Sequence, residues 1–523
     1  MLAGSVAEVK VSDAEPTSSR GDPEAIRAAF PDLFGAPRVV FESGSTASSR
    51  EPLRVGVVLS GGQAPGGHNV ISGLYDALSE WHPESRLIGF LGGPKGMFEG
   101  HHRELGAQEI DSHRNTGGFD LIGSGRDKIE TSEQLAACRE ISARLGLHGL
   151  VVIGGDDSNT NAAVLAQYFV RHGQDTAVVG APKTIDGDLK GGGIEASFGF
   201  DTATKVYSEL IGNIERDARS ARKYWHFIKL MGRSASHVTL ECALSTRPSI
   251  ALIGEEVRAQ RWTLAQLTDR IAGVVRDRSA AGRSYGVCLV PEGLIEFLPE
   301  IGALIAEINS LLAEGAAESS LAERLTQESA AAFRGLPERI QRQLLLDRDS
   351  HGNVQVSRID TEALLIETVR QRLEQWSEAG DYEGVFQTQH HFFGYEGRCA
   401  APSNFDADYT AALGRVAALL IAHRKTGYVC AVGNLAAEPT DWNAGGIPLT
   451  SLMRMETRKG KPTPVIAKAL VDLDGRPFGE FAAQRGEWKR EDCFVYPGPI
   501  QYFGPPEVTG RTTVTLQLER GDA

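Results

Sequence analysis

Within residues 183–188 of the stretch APKTIDGDLKGGG (181–193), a lysine, a threonine and two aspartates stand together: Lys183, Thr184, Asp186 and Asp188. Such a lysine can meet phosphate oxygens and such a carboxylate can take a hydroxyl proton, which are the two needs of phosphoryl transfer to an alcohol. A charged surface loop is the plain alternative. In GGDDSNTNAA (154–163) two glycines bring the backbone close to a ligand, and Asp156 and Asp157 follow where a helix begins. One carboxylate there can hold Mg²⁺, which bridges a phosphate chain with few protein ligands; ordinary helix capping explains the pair equally simply. SGGQAPGGHNVISGL (60–74) puts glycines between a strand and a helix, where backbone N–H groups approach a phosphate. It has neither the Lys-Ser/Thr ending of a nucleotide P-loop nor the G-x-G-x-x-G spacing of a dinucleotide site, and a tight connection would look the same. KLMGRSASH (229–237) closes a strand with Met-Gly-Arg, whose guanidinium fork suits a sugar phosphate or a salt bridge.

These stretches need a scaffold that gathers strand ends. From Arg54 onward, short apolar runs end in glycine-rich turns and lead into helical periodicity: RVGVVLS, RLIGFLGG, GLVVIGGDDS, TAVVGAPKTID, WHFIKLMGR, SIALIGEE and YGVCLVPEG. Continuous apolar strands of this kind belong to parallel sheets covered by helices on both faces. The predicted class is α/β, doubly wound, with ligands beyond the carboxyl ends of the strands. Residues 1–50, rich in Ser, Gly, Pro and charge, are expected to be a loosely packed extension. The predicted division is a larger α/β subdomain over 51–245, the start of a second over 246–297, and a mainly helical insertion over 298–385. A turn at DRDSHGN (347–353) falls within that insertion. The second subdomain resumes over 386–435, and 436–523 forms a smaller tail packing on the core.

The 523 residues carry a formal charge of −14, a field that repels nucleic acid and anionic lipid, so an anionic substrate needs a locally positive pocket. The six cysteines are scattered without C-x-x-C or zinc-site spacing, as reduced thiols in a cytoplasmic protein would be. No stretch approaches about 18 consecutive apolar residues, and no basic-then-apolar start marks a secretory signal.

Taken in order, SGGQAPGGHN, GGDDS, PKTIDGD, MGR, VPEG and FFGYEGR, over residues 54 to about 430, closely resemble the phosphofructokinase superfamily, and more narrowly its long, pyrophosphate-dependent branch. The resemblance implies two Rossmann-like subdomains with a helical insertion. It also implies reversible transfer of a phosphoryl group from pyrophosphate to the 1-hydroxyl of fructose 6-phosphate. Motif by motif, it makes Asp186 the base, places Thr184 and Ile185 on the same substrate turn, and makes Asp156 the Mg²⁺ ligand. Gly62 then meets pyrophosphate through its amide, and Arg126 contacts phosphate. Met231, Gly232, Arg233, Glu292, Tyr395, Glu396, Gly397 and Arg398 resemble the fructose 6-phosphate pocket. Lys223 and Tyr224 resemble residues that reach a neighbouring subunit's site, which implies a homodimer or higher homo-oligomer with sites completed across the interface.

The same resemblance puts donor choice on Asp157 and Lys183, where ATP-using relatives have glycine and a smaller residue. A carboxylate at 157 would repel the α-phosphate of ATP, because like charges about 4 Å apart cost roughly 4 kcal/mol at an effective dielectric of about 20. Lys183 would neutralise charge on the transferring and leaving phosphates. Gly187 departs from the family's asparagine, which removes an amide and adds backbone freedom. Rival readings are an ATP-dependent enzyme on the same fold and a non-catalytic regulatory subunit. A lipid or dinucleotide kinase sharing the GGD turn is a further rival that leaves MGR, PEG and YEGR unexplained.

Overall fold

The computed structural model describes residues 6–44, 50–316, 320–348, 354–458 and 461–498. Its first sheet opens with β1 (Val9–Pro16) and β2 (Pro37–Ser43), an antiparallel pair. It continues through β3 (Arg54–Ser60), β4 (Arg86–Phe90), β5 (His102–Leu105), β6 (Ser124–Gly125), β7 (Gly149–Gly154) and β8 (Ala177–Pro182). The chain then crosses by the long helix Phe200–Ala221 to a second sheet of β9 (Trp225–Leu230), β10 (Ile250–Ala251), β11 (Gly286–Pro291) and β12 (Thr388–Phe393). This second sheet has the order β10-β11-β9-β12 and is parallel throughout. It returns as β13 (Tyr428–Gly433), parallel to β8, and β14 (Asn443–Pro448), antiparallel between β13 and β2. The finished first sheet runs β1-β2-β14-β13-β8-β7-β3-β4-β5, with β6 beside β3. A hairpin of β15 (Met453–Arg458) and β16 (Lys461–Ile466) follows and packs on the helix Asp156–Arg171.

The sequence signal behind the central strands is plain in their burial: β7, β8, β9 and β11 are buried along their whole length. A strand covered on both faces cannot alternate apolar and polar residues, which is why these runs are continuously hydrophobic.

Two expectations are corrected. The N-terminal segment is not loosely packed: β1 and β2 extend the first sheet, and Ile26, Phe30 and Phe41 are fully buried. Strands β9 and β13 each belong to the other sheet than the boundaries at 245 and 386–435 assign, because the chain crosses between sheets more than once. The segment expected as a helical insertion is mainly helical and packs on the second sheet. Its helices Pro299–Ala313 and Thr361–Glu378 place Ile301, Leu304, Leu365 and Val369 in one apolar core with Trp225, Phe227 and Val275 of the second subdomain. Lys229 of β9 is tied into the insertion by Glu362 at 3.2 Å, both side chains almost fully buried, and donates to the Ile359 carbonyl. The turn expected at 347–353 falls mostly on 349–353, outside the described residues. Among the described residues no helix is long and apolar enough to cross a membrane, and all six cysteines are unpaired.

Candidate active site

The carboxyl ends of β3, β7 and β8 face those of β9, β11 and β12, with Arg398 against the turn after β3 and Asp186 acting on Glu292. On the first wall, β3 ends in the turn Gly61-Gly62. Gly61 has φ 87°, and a side chain there would come within 3.3 Å of the Lys183 ammonium. A Cβ on Gly62 would lie 3.2 Å from the Arg398 guanidinium, so the bare backbone of this turn faces two cations. The Ser158 hydroxyl donates to Ser60 Oγ at 2.8 Å, which pins the turn to the next strand's helix. Asn159, wholly buried, donates its amide to the carbonyls of Gly154 at 2.6 Å and Gly155 at 2.9 Å, which fixes the turn that carries Asp156 and Asp157.

After β8 the backbone N–H of Lys183 donates to the Gly154 carbonyl at 3.0 Å. The Lys183 side chain is 7% exposed. Burial lowers its pKa to about 8, with Arg398 pushing the same way and Asp186 and Asp156 opposing. Thr184 Oγ1 accepts the N–H of Asp186 at 3.1 Å, a local turn that presents the Asp186 carboxylate. Ile185, expected to line the substrate turn, is buried in the apolar core, so only its backbone can face a ligand. Gly187 sits at φ 72°, in the left-handed region that asparagine tolerates best among residues with a side chain; a Cβ there would meet the Phe200 ring at 2.9 Å. Asp188 is buried, and burial, with Asp186 and Asp156 adding to it against Lys468, pushes its carboxyl up to about 7.

On the second wall Glu292, at the end of β11, accepts the N–H of Gly232 at 3.1 Å and so shapes the Met231-Gly232-Arg233 turn after β9. Burial, then Asp186, raise its pKa to about 7 against the pull of Arg233. Arg126 is exposed at the edge of the site, and its pKa is lowered by partial desolvation and then by the guanidiniums of Arg398 and Arg233 nearby. This is the locally positive pocket that an anionic substrate of an acidic protein requires. The Gly394 carbonyl accepts the Tyr207 hydroxyl at 2.6 Å, and the Gly394 N–H donates to Glu396 at 3.0 Å, which fixes the turn carrying Gly397 and Arg398. Tyr395 stands 66% exposed at the rim.

Lys223 and Tyr224 are not brought to this site. They precede β9, at the opposite end from Met231, roughly 20 Å away for six residues of strand. Tyr224 takes a φ of 70°, and the Lys223 ammonium lies 5.1 Å from its ring centre.

Three site cations escaped the sequence reading. Arg458, at the end of β15, donates to Asp157 Oδ1 at 2.5 Å, and Lys128 lies 3.9 Å from the same carboxylate. Burial pushes Asp157 up, but Lys128 and Arg458 outweigh it and hold the carboxyl below its ordinary range. Lys468, just past β16, lies 3.6 Å from both Asp156 and Asp188. Arg458 and Lys468 come from the tail, where neither glycine turn nor apolar run announces a site. Among the described residues no three His, Cys, Asp or Glu side chains form a metal cage. Asp156, Asp186 and Asp188 nonetheless concentrate negative charge enough to perturb Asp188, and hard oxygen donors of this kind fit Mg²⁺, which takes one or two carboxylates and draws its other ligands from phosphate and water.

The family model described as phosphofructokinase matches residues 54–421. The chain is 55% identical over 524 residues to the pyrophosphate–fructose 6-phosphate 1-phosphotransferase of Treponema pallidum, covering 96% of this chain and 91% of the relative. To the protein of that name in Porphyromonas gingivalis it is 53% identical, covering 98% and 95%. To subunit beta 2 of the Arabidopsis thaliana protein it is 52% identical, covering 97% and 90%. Among solved structures, the pyrophosphate-dependent phosphofructokinase of Marinobacter aquaeolei superposes with a TM-score of 0.56 at 16% identity, covering 84% of this chain and 93% of that one, a likeness of fold.

Proposed function

The chain belongs to the phosphofructokinase family, and from that premise we propose that it moves a phosphoryl group from inorganic pyrophosphate to the 1-hydroxyl of fructose 6-phosphate. The observation that carries this reading is the convergence of Asp156, Lys183 and Asp186 on one wall with Arg126, Arg233 and Arg398 around them. A buried ammonium, a carboxylate base and a cluster of guanidiniums are what a transfer between two phosphate-bearing anions needs.

In the proposed reaction Asp186 takes the proton of the sugar's 1-hydroxyl as that oxygen attacks the terminal phosphorus. The bond from phosphorus to the bridging oxygen breaks, and Lys183 meets the charge that gathers on the departing phosphate. The N–H of Gly62 and the guanidinium of Arg126 bind pyrophosphate oxygens, and Arg233, Glu292 and Arg398 hold the sugar phosphate. Asp156 would hold Mg²⁺, which when bound spreads the negative charge of the phosphate chain. We read Lys223 and Tyr224, remote from their own chain's site, as completing the site of a second copy. Six unpaired thiols suit a reducing, cytoplasmic setting.

The test is a coupled assay of purified protein with fructose 6-phosphate, Mg²⁺ and either pyrophosphate or ATP. Turnover with pyrophosphate and not with ATP is expected; turnover with ATP alone, or with neither, overturns the reading.

A further inference from the structure

Residues 467–471 run as an extended strap between the two walls. The Ala467 N–H donates to the Leu452 carbonyl at 2.9 Å and the Ala469 N–H to the Asp188 carbonyl at 2.7 Å, both on the donor side. On the sugar side His237 Nε2 donates to the Ala469 carbonyl at 3.0 Å, and the Val471 N–H donates to Glu255 Oε1 at 2.9 Å. Glu255 also accepts the N–H of Ser236 at 3.1 Å, within the segment that follows Met231-Gly232-Arg233. The strap is therefore stitched by backbone bonds to both subdomains. Its one charged side chain between those anchors is Lys468.

The Lys468 ammonium donates to Ser234 Oγ at 2.8 Å, on the residue next to Arg233, and lies 3.6 Å from Asp156 and 3.6 Å from Asp188. One cation thus touches the carboxylate proposed for Mg²⁺, the second carboxylate of the catalytic loop, and the turn proposed for the sugar phosphate. An ammonium with three donors on a flexible stem suits this three-way contact, which no neutral side chain could hold against two carboxylates. The match to the family model ends at residue 421, so this group lies outside the stretch that the family model covers.

We propose that Lys468 is a positioning residue that fastens the pyrophosphate wall to the fructose 6-phosphate wall, so that donor and acceptor are brought to in-line distance together. The proposal rests on the reaction proposed above. Misplacing a reacting pair by about 1 Å can lower a rate about 100-fold while leaving binding of either partner alone nearly intact. A link between two sites also makes each ligand tighten the other's binding, and its removal uncouples them.

The full chain, Lys468→Met and Lys468→Arg are compared by steady-state kinetics, by thermal unfolding, and by calorimetric titration of fructose 6-phosphate with and without Mg²⁺ plus inorganic phosphate. In the parent protein, Mg²⁺ plus phosphate should tighten fructose 6-phosphate by about fivefold or more. Lys468→Met should unfold at the parent's temperature and bind fructose 6-phosphate alone as the parent does. Its kcat should fall about 100-fold and the tightening should vanish. Lys468→Arg should regain at least about a tenth of the parent kcat. A Met variant whose kcat and tightening match the parent overturns the proposal. So does a Met variant that unfolds early and loses sugar binding alone with no rescue by Arg, since that marks a merely structural lysine. A parent protein inactive with pyrophosphate and ATP alike removes the reaction itself, and is told apart because no variant is then needed to see it.

Discussion

Arg458 Nη1 donates to Asp157 Oδ1 at 2.5 Å, joining the end of β15 to the first turn of the helix Asp156–Arg171. The carboxylate assigned to repelling ATP is therefore paired, with Lys128 as a second counter-charge, and its bare Coulomb repulsion is largely cancelled. Lys183 instead answers to Arg398, Asp186 and Asp156. We propose that donor choice rests instead on occupancy, with the Asp157–Arg458 pair filling space that the longer phosphate chain of a nucleotide would need. Asp157→Gly should release Arg458 to face a third phosphate, so that ATP turnover appears while kcat/KM for pyrophosphate falls. Parallel assays with the two donors check this; a variant still silent with ATP and unchanged with pyrophosphate contradicts it.

Removing the base gives the most direct test of chemistry. Asp186→Ala should lower kcat by about 10²–10⁴-fold, the range a positioned general base contributes. Calorimetry should find fructose 6-phosphate affinity close to the parent's, because the proposed sugar contacts come from β9, β11 and β12.

Lys183 is charged below a pKa near 8 and neutral above it, so a reaction that needs its charge should weaken as pH rises through 8. The profile of kcat/KM, which reports the free enzyme, should show that alkaline limb. The limb in kcat should lie higher, since bound phosphate favours the ammonium. In Lys183→Arg, which keeps its proton, the limb should disappear, whatever the level of residual activity.

The Lys229–Glu362 pair binds the insertion to the second sheet at a place closed to water. Glu362→Ala would strand a buried ammonium, at a cost of about 3–5 kcal/mol. Thermal unfolding should show a clearly lower midpoint, whereas an exposed pair such as Arg342–Glu338 can be broken with little effect.

If Lys223 serves a neighbouring copy, Lys223→Ala and Asp186→Ala are each inactive alone. Co-expressed, they form hybrid assemblies in which some sites carry neither lesion, and activity should return toward about a quarter of the parent level for a randomly mixed dimer. Mixed assemblies that stay inactive place both residues in the same site.

The strands and their ligand-bearing ends were legible because a doubly covered parallel strand must be continuously apolar and must hand over to glycine and charge where it meets a ligand. Lys183, Asp186 and Glu292 all sit where that rule puts them. Arg458 and Lys468 were not legible, since a cation that arrives from a distant segment leaves no local pattern. The N-terminal strands were hidden for a related reason. Edge strands such as β1, with its exposed Asp13 and Glu15, are polar on the outside and resemble loop. Gly187 lies between these cases: its departure from asparagine was visible, and the left-handed backbone that accommodates both residues was not.

The return of β13 and β14 to the first sheet has a consequence for how the chain is made. β13 lies between β8 and β14, so the sheet that holds Lys183 and Asp186 stays open along β8 until some 250 residues after β8 have emerged, through to Tyr428–Gly433. During synthesis the β8 edge, entirely apolar in its side chains from Ala177 to Pro182, is exposed to solvent and to other nascent chains. The loop that follows β8 therefore gains its second neighbouring strand only after residues 428–433 have emerged, and expression of any fragment ending before residue 428 should yield aggregate.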